Sequence, residues 1–191
     1  MSHDTTAYAE DAEGGRGRDK ATSSLRAGDF APEFRLSDAD DRMVSLSATL
    51  KSGPVVLCFL DARDANDGYE ELQALTRYAG GIAESGATII ALSPHPAAFV
   101  PAIARLKLLV DAGRDVASAY RLCLPPSGLR STTETLEVSS QSDQGGMQEP
   151  VPATFVIDQN SRIVLSLIDA AFDNGIVPVN VMAALHALHR R

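Results

Sequence analysis

The hydrophobic pattern of the chain alternates between buried-strand runs and helical repeats. Residues 55–60 form a continuous apolar run entered through Gly53 and Pro54, which is typical of a strand buried on both faces of a parallel sheet. Apolar residues then recur at helical spacing as far as Gly86, and residues 87–92 form a second apolar run rich in β-branched side chains. The helix-spaced positions are Tyr69, Leu72, Leu75, Ala79 and Ile82. The order strand, helix, strand predicts a parallel βαβ unit.

Shorter patterns on both sides of this unit predict hairpins and further helices. Short strand patterns around polar turns predict one hairpin before the βαβ unit and another near the C-terminus. Helical periodicity predicts two helices in the middle and an amphipathic helix at the end, with Val181, Met182, Leu185 and Leu188 facing inward. The strands are predicted at 34–36, 43–46, 108–110, 154–157 and 163–167, and the helices at 97–106, 114–122 and 179–189. A βαβ half followed by a ββα half predicts an α/β sandwich with a central mixed sheet.

Two polar segments interrupt this pattern. Residues 1–24 contain almost no aliphatic side chains, so they cannot repay the entropy of ordering and are expected to form a flexible tail. Residues 125–150 are also polar and centre on Ser-Ser-Gln-Ser-Asp-Gln-Gly-Gly, which predicts a long surface loop. The remaining sequence predicts one domain at 25–191.

Composition and charge exclude several classes of partner. The 191 residues carry a formal net charge of -8 without any Lys/Arg run, so nucleic acid and anionic membranes are disfavoured by repulsion. No apolar stretch approaches the roughly 20 residues that a membrane crossing needs, and the first 20 residues lack the apolar core of a secretory signal. The two cysteines, Cys58 and Cys123, lie too far apart in sequence to suggest a secreted disulfide scaffold. These features predict a soluble protein of the cytoplasm.

Several segments resemble one protein family. Residues 27–36 read Ala-Gly-Asp-Phe-Ala-Pro-Glu-Phe-Arg-Leu, similar to the G-x-x-A-P-x-F-x-L opening of the alkyl hydroperoxide reductase/thiol-specific antioxidant (AhpC/TSA) proteins. Val-Ser-Leu-Ser at 44–47 and Gly-Pro-Val-Val-Leu at 53–57 follow at the usual distance. Residues 86–93 are similar to the third strand of the family, and 151–158 to its V-P-A-T-F-V-I-D segment. The resemblance implies a peroxiredoxin-type, thioredoxin-like three-layer α/β/α sandwich, thiol peroxidase or oxidoreductase activity, and a homodimer.

The same resemblance places Pro152 where thioredoxin-fold proteins usually carry a cis-proline that faces the redox site. An X-Pro bond adopts the cis form at low cost, which explains why such a position is proline. The alternative is an ordinary proline at the entry of a strand. The resemblance favours the cis form.

The catalytic thiol of the family has no counterpart in this sequence. The redoxins that the chain most resembles carry F-Y-x-G-G-W-C-P-Y-C-x-x-E-L-x-x-L after the central strand. Residues 59–75 align to it without a gap and read Phe-Leu-Asp-Ala-Arg-Asp-Ala-Asn-Asp-Gly-Tyr-Glu-Glu-Leu-Gln-Ala-Leu, so Ala65 and Gly68 stand at the two cysteines. Ala62 stands where many peroxiredoxins have threonine. Peroxidase chemistry needs a thiolate at the helix N-terminus, so the sequence predicts a redox-inactive homologue that binds a protein or small-molecule partner or acts in regulation, with no cofactor.

The remaining cysteines keep an enzymatic alternative open. Cys58 lies within the apolar strand, where burial raises the pKa of a thiol and slows its reactions. Cys123 follows the helix predicted at 114–122, and a helix C-terminus opposes thiolate formation. A thiol-dependent peroxidase using Cys123 or Cys58 is therefore the rival hypothesis.

The substituted loop has its own candidate roles. It comprises Asp61, Ala62, Arg63, Asp64, Ala65, Asn66, Asp67 and Gly68. Asp64 or Asn66 is expected to cap the next helix, whose dipole Glu70 and Glu71 would complement. Alternatively, Asp61, Asp64 and Asp67 could gather a hard cation, although their spacing fits no established loop.

The loop does not match phospho-aspartyl enzymes, because Arg63 stands where they carry a second Asp after Asp61. His95 follows the strand at 87–92 on the side of the candidate site and could contact a ligand, but it is expected to be an exposed turn residue. His186 and His189 are expected to complement the C-terminus of the last helix and are not predicted to bind metal.

Overall fold

The computed structural model describes residues 24–38, 40–60, 65–95, 105–123, 150–170, 172 and 175–190, with side chains described for all of these except 65–69 and 176. The strands are β1 (Arg35–Ser37), β2 (Met43–Ser45), β3 (Val55–Phe59), β4 (Thr88–Ser93), β5 (Leu106–Val110), β6 (Ala153–Ile157) and β7 (Ile163–Ile168). The helices are α1 (Leu46–Leu50), α2 (Ala65–Glu84), α3 (Asp115–Ala119) and α4 (Ile176–His189).

A mixed sheet with the strand order β5-β4-β3-β6-β7 forms the centre of the fold. β3 pairs in parallel with β4, and β4 pairs in parallel with β5. β6 is antiparallel to both β3 and β7. β1 and β2 form a separate antiparallel hairpin. The predicted βαβ unit and both predicted hairpins are thus confirmed.

Each face of the sheet carries its own hydrophobic core. Alternate residues of β3 point to opposite faces, as the two-residue period of a strand requires. Val56 and Cys58 face the core that α2 and α4 cover, whereas Leu57 and Phe59 face the core that α1, α3 and the β1–β2 hairpin cover. This arrangement confirms the three-layer α/β/α sandwich.

Several element boundaries differ from the sequence prediction. Leu46 does not extend β2 but begins α1, because the Ser45 hydroxyl caps this helix by accepting a hydrogen bond from the Ala48 amide at 3.2 Å. Leu106 belongs to β5 and not to the preceding predicted helix, since pairing with β4 continues to this residue. α3 ends at Ala119 instead of residue 122. α4 begins at Ile176, three residues early, because a proline such as Pro178 is tolerated in the first helical turn.

Some predictions concern residues outside the described ranges. These are the flexible tail apart from Ser24, the helix at 97–106 apart from its last two residues, and the polar loop apart from Pro150. Among the described helices, none has the length and apolar character needed to cross a membrane.

Candidate functional site at the start of helix α2

The candidate site lies where β3 leads into α2. α2 begins at Ala65, so Ala65, Asn66, Asp67 and Gly68 occupy its first turn. The positive end of a 20-residue helix dipole is therefore located where the resemblance places the thiol. Asn66 lies inside the helix, so the prediction that it is the N-cap is wrong.

The rest of the substituted loop, residues 61–64, lies outside the described ranges, and so do the side chains of 65–69. Capping by Asp64 and cation binding by Asp61, Asp64 and Asp67 therefore stay predictions.

An aromatic cluster fixes the end of β3 that leads to this site. The ring of Phe59 packs against Tyr120 and Phe155, with ring centroids 5.2 and 6.0 Å apart. The Tyr120 hydroxyl donates to the carbonyl oxygen of Pro32 at 3.1 Å, and burial raises its pKa above the ordinary tyrosine range. This hydrogen bond joins residues 27–36, which resemble the N-terminal motif of the family, to the aromatic cluster at the end of β3.

Cys58 is buried beneath α2. Its side chain has no exposed surface, and its sulfur accepts a long hydrogen bond from Thr154 Oγ1 at 3.9 Å. Burial is the main cause that raises the pKa of this thiol far above its usual range, and the negative charge of Glu71 raises it further. The predicted desolvation of Cys58 is confirmed.

Cys123 lies in a different setting. It is partly exposed, packs against the core on the opposite face of the sheet, and accepts a hydrogen bond from Ser118 Oγ at 3.5 Å. It follows Ala119, the last residue of α3, by four positions. Cys58 and Cys123 therefore lie on opposite sides of the central sheet.

We expect the two thiols to differ strongly in alkylation of the folded protein. At pH 8, iodoacetamide should modify Cys123 at least about tenfold faster than Cys58, because burial suppresses both access to Cys58 and its thiolate. Peptide mass mapping over time measures both rates, and denatured protein, in which both thiols should react, is the control. Equal rates in the folded state would show that Cys58 is not shielded.

Glu71 of α2 has a structural role that the sequence did not predict. It is only 1% exposed, and its carboxylate accepts a hydrogen bond from the Phe172 amide at 2.9 Å. Phe172 is itself fully buried and packs edge-to-face against Tyr78 of α2, with ring centroids 5.9 Å apart. Glu71 therefore joins α2 to the segment before α4, whereas the adjacent Glu70 is exposed.

We expect Glu71→Leu to lower the free energy of unfolding by about 1–3 kcal/mol, because it leaves the buried Phe172 amide without this acceptor. Glu71→Gln retains an acceptor oxygen and should cost less. Urea titration followed by circular dichroism measures both, with Glu70→Leu as a control at the adjacent exposed position. A cost for Glu70→Leu as large as that for Glu71→Leu would contradict the assigned role.

The structure contradicts the predicted cis form of the peptide bond before Pro152. The described residues contain no cis peptide bond, so the Val151–Pro152 bond is trans. The backbone on both sides is held by pairing: the Val151 amide donates to Leu122 O at 3.2 Å, and the Asp169 amide donates to Pro152 O at 2.8 Å. The trans form, which an X-Pro bond favours by about 0.5–1 kcal/mol, satisfies this pairing. Pro152 is thus a buried residue at the entry of β6.

The three histidines in the described part of the chain are exposed. His95 is exposed, and its amide donates to Ser93 Oγ at 3.2 Å. His186 and His189 are exposed in the last turn of α4, where they line a groove of about 460 Å³ with Glu84. No group of three or more His, Cys, Asp or Glu residues in the described part of the chain is placed to hold a metal ion.

The layered mixed sheet with its site helix defines a thioredoxin-like fold of the peroxiredoxin type, and comparison with solved structures supports this class. Peroxidoxin BcpB from Mycobacterium tuberculosis is 21% identical, with a TM-score of 0.63 over 86% of this chain and 98% of that chain. Xanthomonas campestris peroxiredoxin Q is 16% identical, with a TM-score of 0.61 over 83% of this chain and 92% of that chain. The thiol peroxidase from Chromobacterium violaceum is 15% identical, with a TM-score of 0.63 over 88% and 90%.

Residues 27–166 match the AhpC/TSA family, and the chain therefore belongs to it. A comparison with curated proteins gives no match.

Proposed function

We propose that this chain is an AhpC/TSA family protein that keeps the fold but does not reduce peroxide, and that it serves in binding or regulation. The observation that carries the proposal is the composition of the first turn of α2. The helix begins at Ala65, and the sequence has no cysteine between Cys58 and Cys123. The dipole that would stabilise a thiolate therefore has no sulfur to act on.

The positions of the two existing thiols support the same proposal. Cys58 is enclosed beneath α2, so peroxide could reach it only if the core opened. Cys123 packs against the core on the other face of the sheet. The rival function, a thiol-dependent peroxidase, would have to use one of these two positions.

Peroxide consumption by the reduced protein, with dithiothreitol or thioredoxin as reductant, tests the proposal. The comparison includes the native chain, Cys58→Ser, Cys123→Ser and the double variant. We expect all four to consume peroxide at the same background rate. Turnover in the native chain that either single substitution abolishes would overturn the proposal and identify the nucleophile.

We further propose that the chain forms a single domain from residue 25 to 191 and works in the cytoplasm as a homodimer with an as yet unidentified protein or small-molecule partner. The low cysteine content and the burial of Cys58 suit a reducing compartment. Light scattering after size exclusion measures the oligomeric state. A monomer mass across the accessible concentration range would disprove the homodimer.

A further inference from the structure

The β1–β2 hairpin carries an exposed methionine with a defined neighbour. Met43 is the first residue of β2 and is 67% exposed. It lies opposite Ser37 of β1 in the antiparallel register, and the Ser37 hydroxyl donates a hydrogen bond to Met43 Sδ at 3.4 Å. The side chain can therefore be reached from solvent, while a hydroxyl group contacts its sulfur.

The turn between the two strands holds this pair in place. The Asp38 amide donates to Arg42 O at 2.9 Å. The Asp38 carboxylate accepts hydrogen bonds from the amides of Asp40 and Arg42, both at 2.9 Å. A carboxylate that closes its own turn in this way restricts the backbone. Ser37 and Met43, which flank the turn, are therefore held opposite each other.

The other described sulfur atoms are less accessible than that of Met43. Cys58 has no exposed surface, and Cys123 is only partly exposed. Met182 is half-buried on α4, and its Cε lies 3.5 Å from a Cβ built on Gly81 of α2. Met43 is thus the most exposed sulfur-containing residue in the part of the chain that the structure describes.

A thioether in such a position can be oxidised to a sulfoxide by a hydroperoxide. A lone pair of Met43 Sδ attacks one peroxide oxygen, so that an S–O bond forms and the O–O bond breaks. The sulfur is oxidised by two electrons, and the peroxide is reduced to water or an alcohol. The proton of the transferred hydroxyl group passes through water to the leaving oxygen. The product sulfur is chiral, so attack through either lone pair gives a different epimer.

We propose that Met43 is a site of oxidation by hydroperoxides and that Ser37 directs the incoming oxygen to one face of its sulfur. The lone pair that accepts the Ser37 hydroxyl is less available to peroxide than the other one, so one epimer forms in excess. The reaction turns an exposed apolar side chain of the hairpin into a polar one, and the protein thereby records its exposure to peroxide.

This oxidation is independent of thiol peroxidase activity. It consumes one equivalent of peroxide at Met43 and then stops, because a separate reductase is needed to restore the thioether. Serine at positions 58 and 123 leaves the Met43 thioether in place. The proposal can therefore be tested regardless of whether the redox proposal holds.

The test treats the full chain carrying Cys58→Ser and Cys123→Ser with hydrogen peroxide and follows each methionine by peptide mass mapping. Met43 sulfoxide should form at least about fivefold faster than Met182 sulfoxide, because Met182 packs against α2. Denatured protein, in which the two methionines should react at similar rates, is the control.

The ratio of the two epimers tests the role of Ser37. Each of the two types of methionine sulfoxide reductase reduces one epimer, so treating the digested peptides with each enzyme gives the ratio at Met43. We expect a ratio of about two to one or more when Ser37 is present and a ratio near one in Ser37→Ala. Ser52→Ala, which removes the hydroxyl of an exposed serine outside the hairpin, is the matched control and should keep the excess.

Each part of the proposal has a result that contradicts it. Equal oxidation rates of Met43 and Met182 in the folded chain would overturn the assignment of Met43 as the oxidation site. Equal amounts of the two epimers when Ser37 is present, or an unchanged excess in Ser37→Ala, would overturn the directing role of Ser37.

Discussion

We expect Gly53→Ala to lower the free energy of unfolding by about 2–4 kcal/mol, because the backbone at this position excludes a side chain. Gly53 has a φ of +146°, and a Cβ built on it would lie 2.2 Å from the carbonyl oxygen of Gly86. The Gly86 carbonyl is held in this position, because it also accepts a hydrogen bond from Arg105 Nη1 at 2.9 Å. A residue with a side chain must therefore distort the approach of two backbone segments.

The close approach matters because it lies where the parallel pairing of β3 and β4 begins. The Thr88 amide donates to Pro54 O at 2.9 Å, next to the contact between Gly53 and Gly86. Displacing this end of the ladder disturbs the first register pair, Val55 with Thr88. Gly53→Ala should therefore destabilise the pairing of β3, the central strand that leads to the candidate site.

Gly80→Ala is the matched control for this prediction. Gly80 lies on the exposed side of α2, and a Cβ built there meets nothing within 4 Å. Alanine should stabilise this helical position by up to about 1 kcal/mol. Urea titration followed by circular dichroism measures both variants, and equal stabilities would show that the Gly53 contact is not constraining.

The centre of the fold could be predicted from the sequence because its hydrophobic periods are long and unambiguous. The apolar run before the helix has the composition of a strand buried on both faces, and all five residues of β3 are buried. Apolar residues recur at helical spacing from Tyr69 to Ile82, so α2 could be predicted without knowledge of its tertiary contacts.

Short elements could be predicted less well, because local contacts with distant residues determine them. α1 has only five residues, and its start depends on Ser45 and also on Glu33, whose carboxylate accepts hydrogen bonds from the amide and hydroxyl of Ser47. The contact with Glu33, which is 14 residues away from Ser47, could not be predicted from the local pattern. The pairing that brings Leu106 into β5 is likewise a tertiary effect.

Some features of the candidate site could also be predicted from the sequence, and others could not. The absence of sulfur at Ala65 and Gly68 could be read directly from the sequence, and the burial of Cys58 followed from the apolar run around it. The role of Glu71 could not be predicted, because its partner Phe172 is 101 residues away and no local pattern links them. Pro152 was assigned a cis bond by resemblance, whereas its peptide bond is trans.

Ala65→Cys is expected to create the most reactive thiol in the chain. The new sulfur would lie in the first turn of α2, where the positive end of the helix dipole stabilises a thiolate. Its pKa should fall at least about one unit below the value of a free cysteine, near 8.5. Ultraviolet absorbance of the thiolate against pH, in a background with Cys58→Ser and Cys123→Ser, measures this pKa without interference.

Glu84→Cys in the same background is the control, because Glu84 is the exposed last residue of α2 and the dipole there opposes a thiolate. Its pKa should not fall below that of a free cysteine. Similar values for the two variants would show that the start of α2 does not favour thiolate formation. If Ala65→Cys forms the thiolate and also consumes peroxide, the missing sulfur alone accounts for the proposed inactivity. A thiolate that consumes no peroxide would show that groups beyond the sulfur have been lost, of which the alanine at position 62 is the first candidate, because many peroxiredoxins have threonine there.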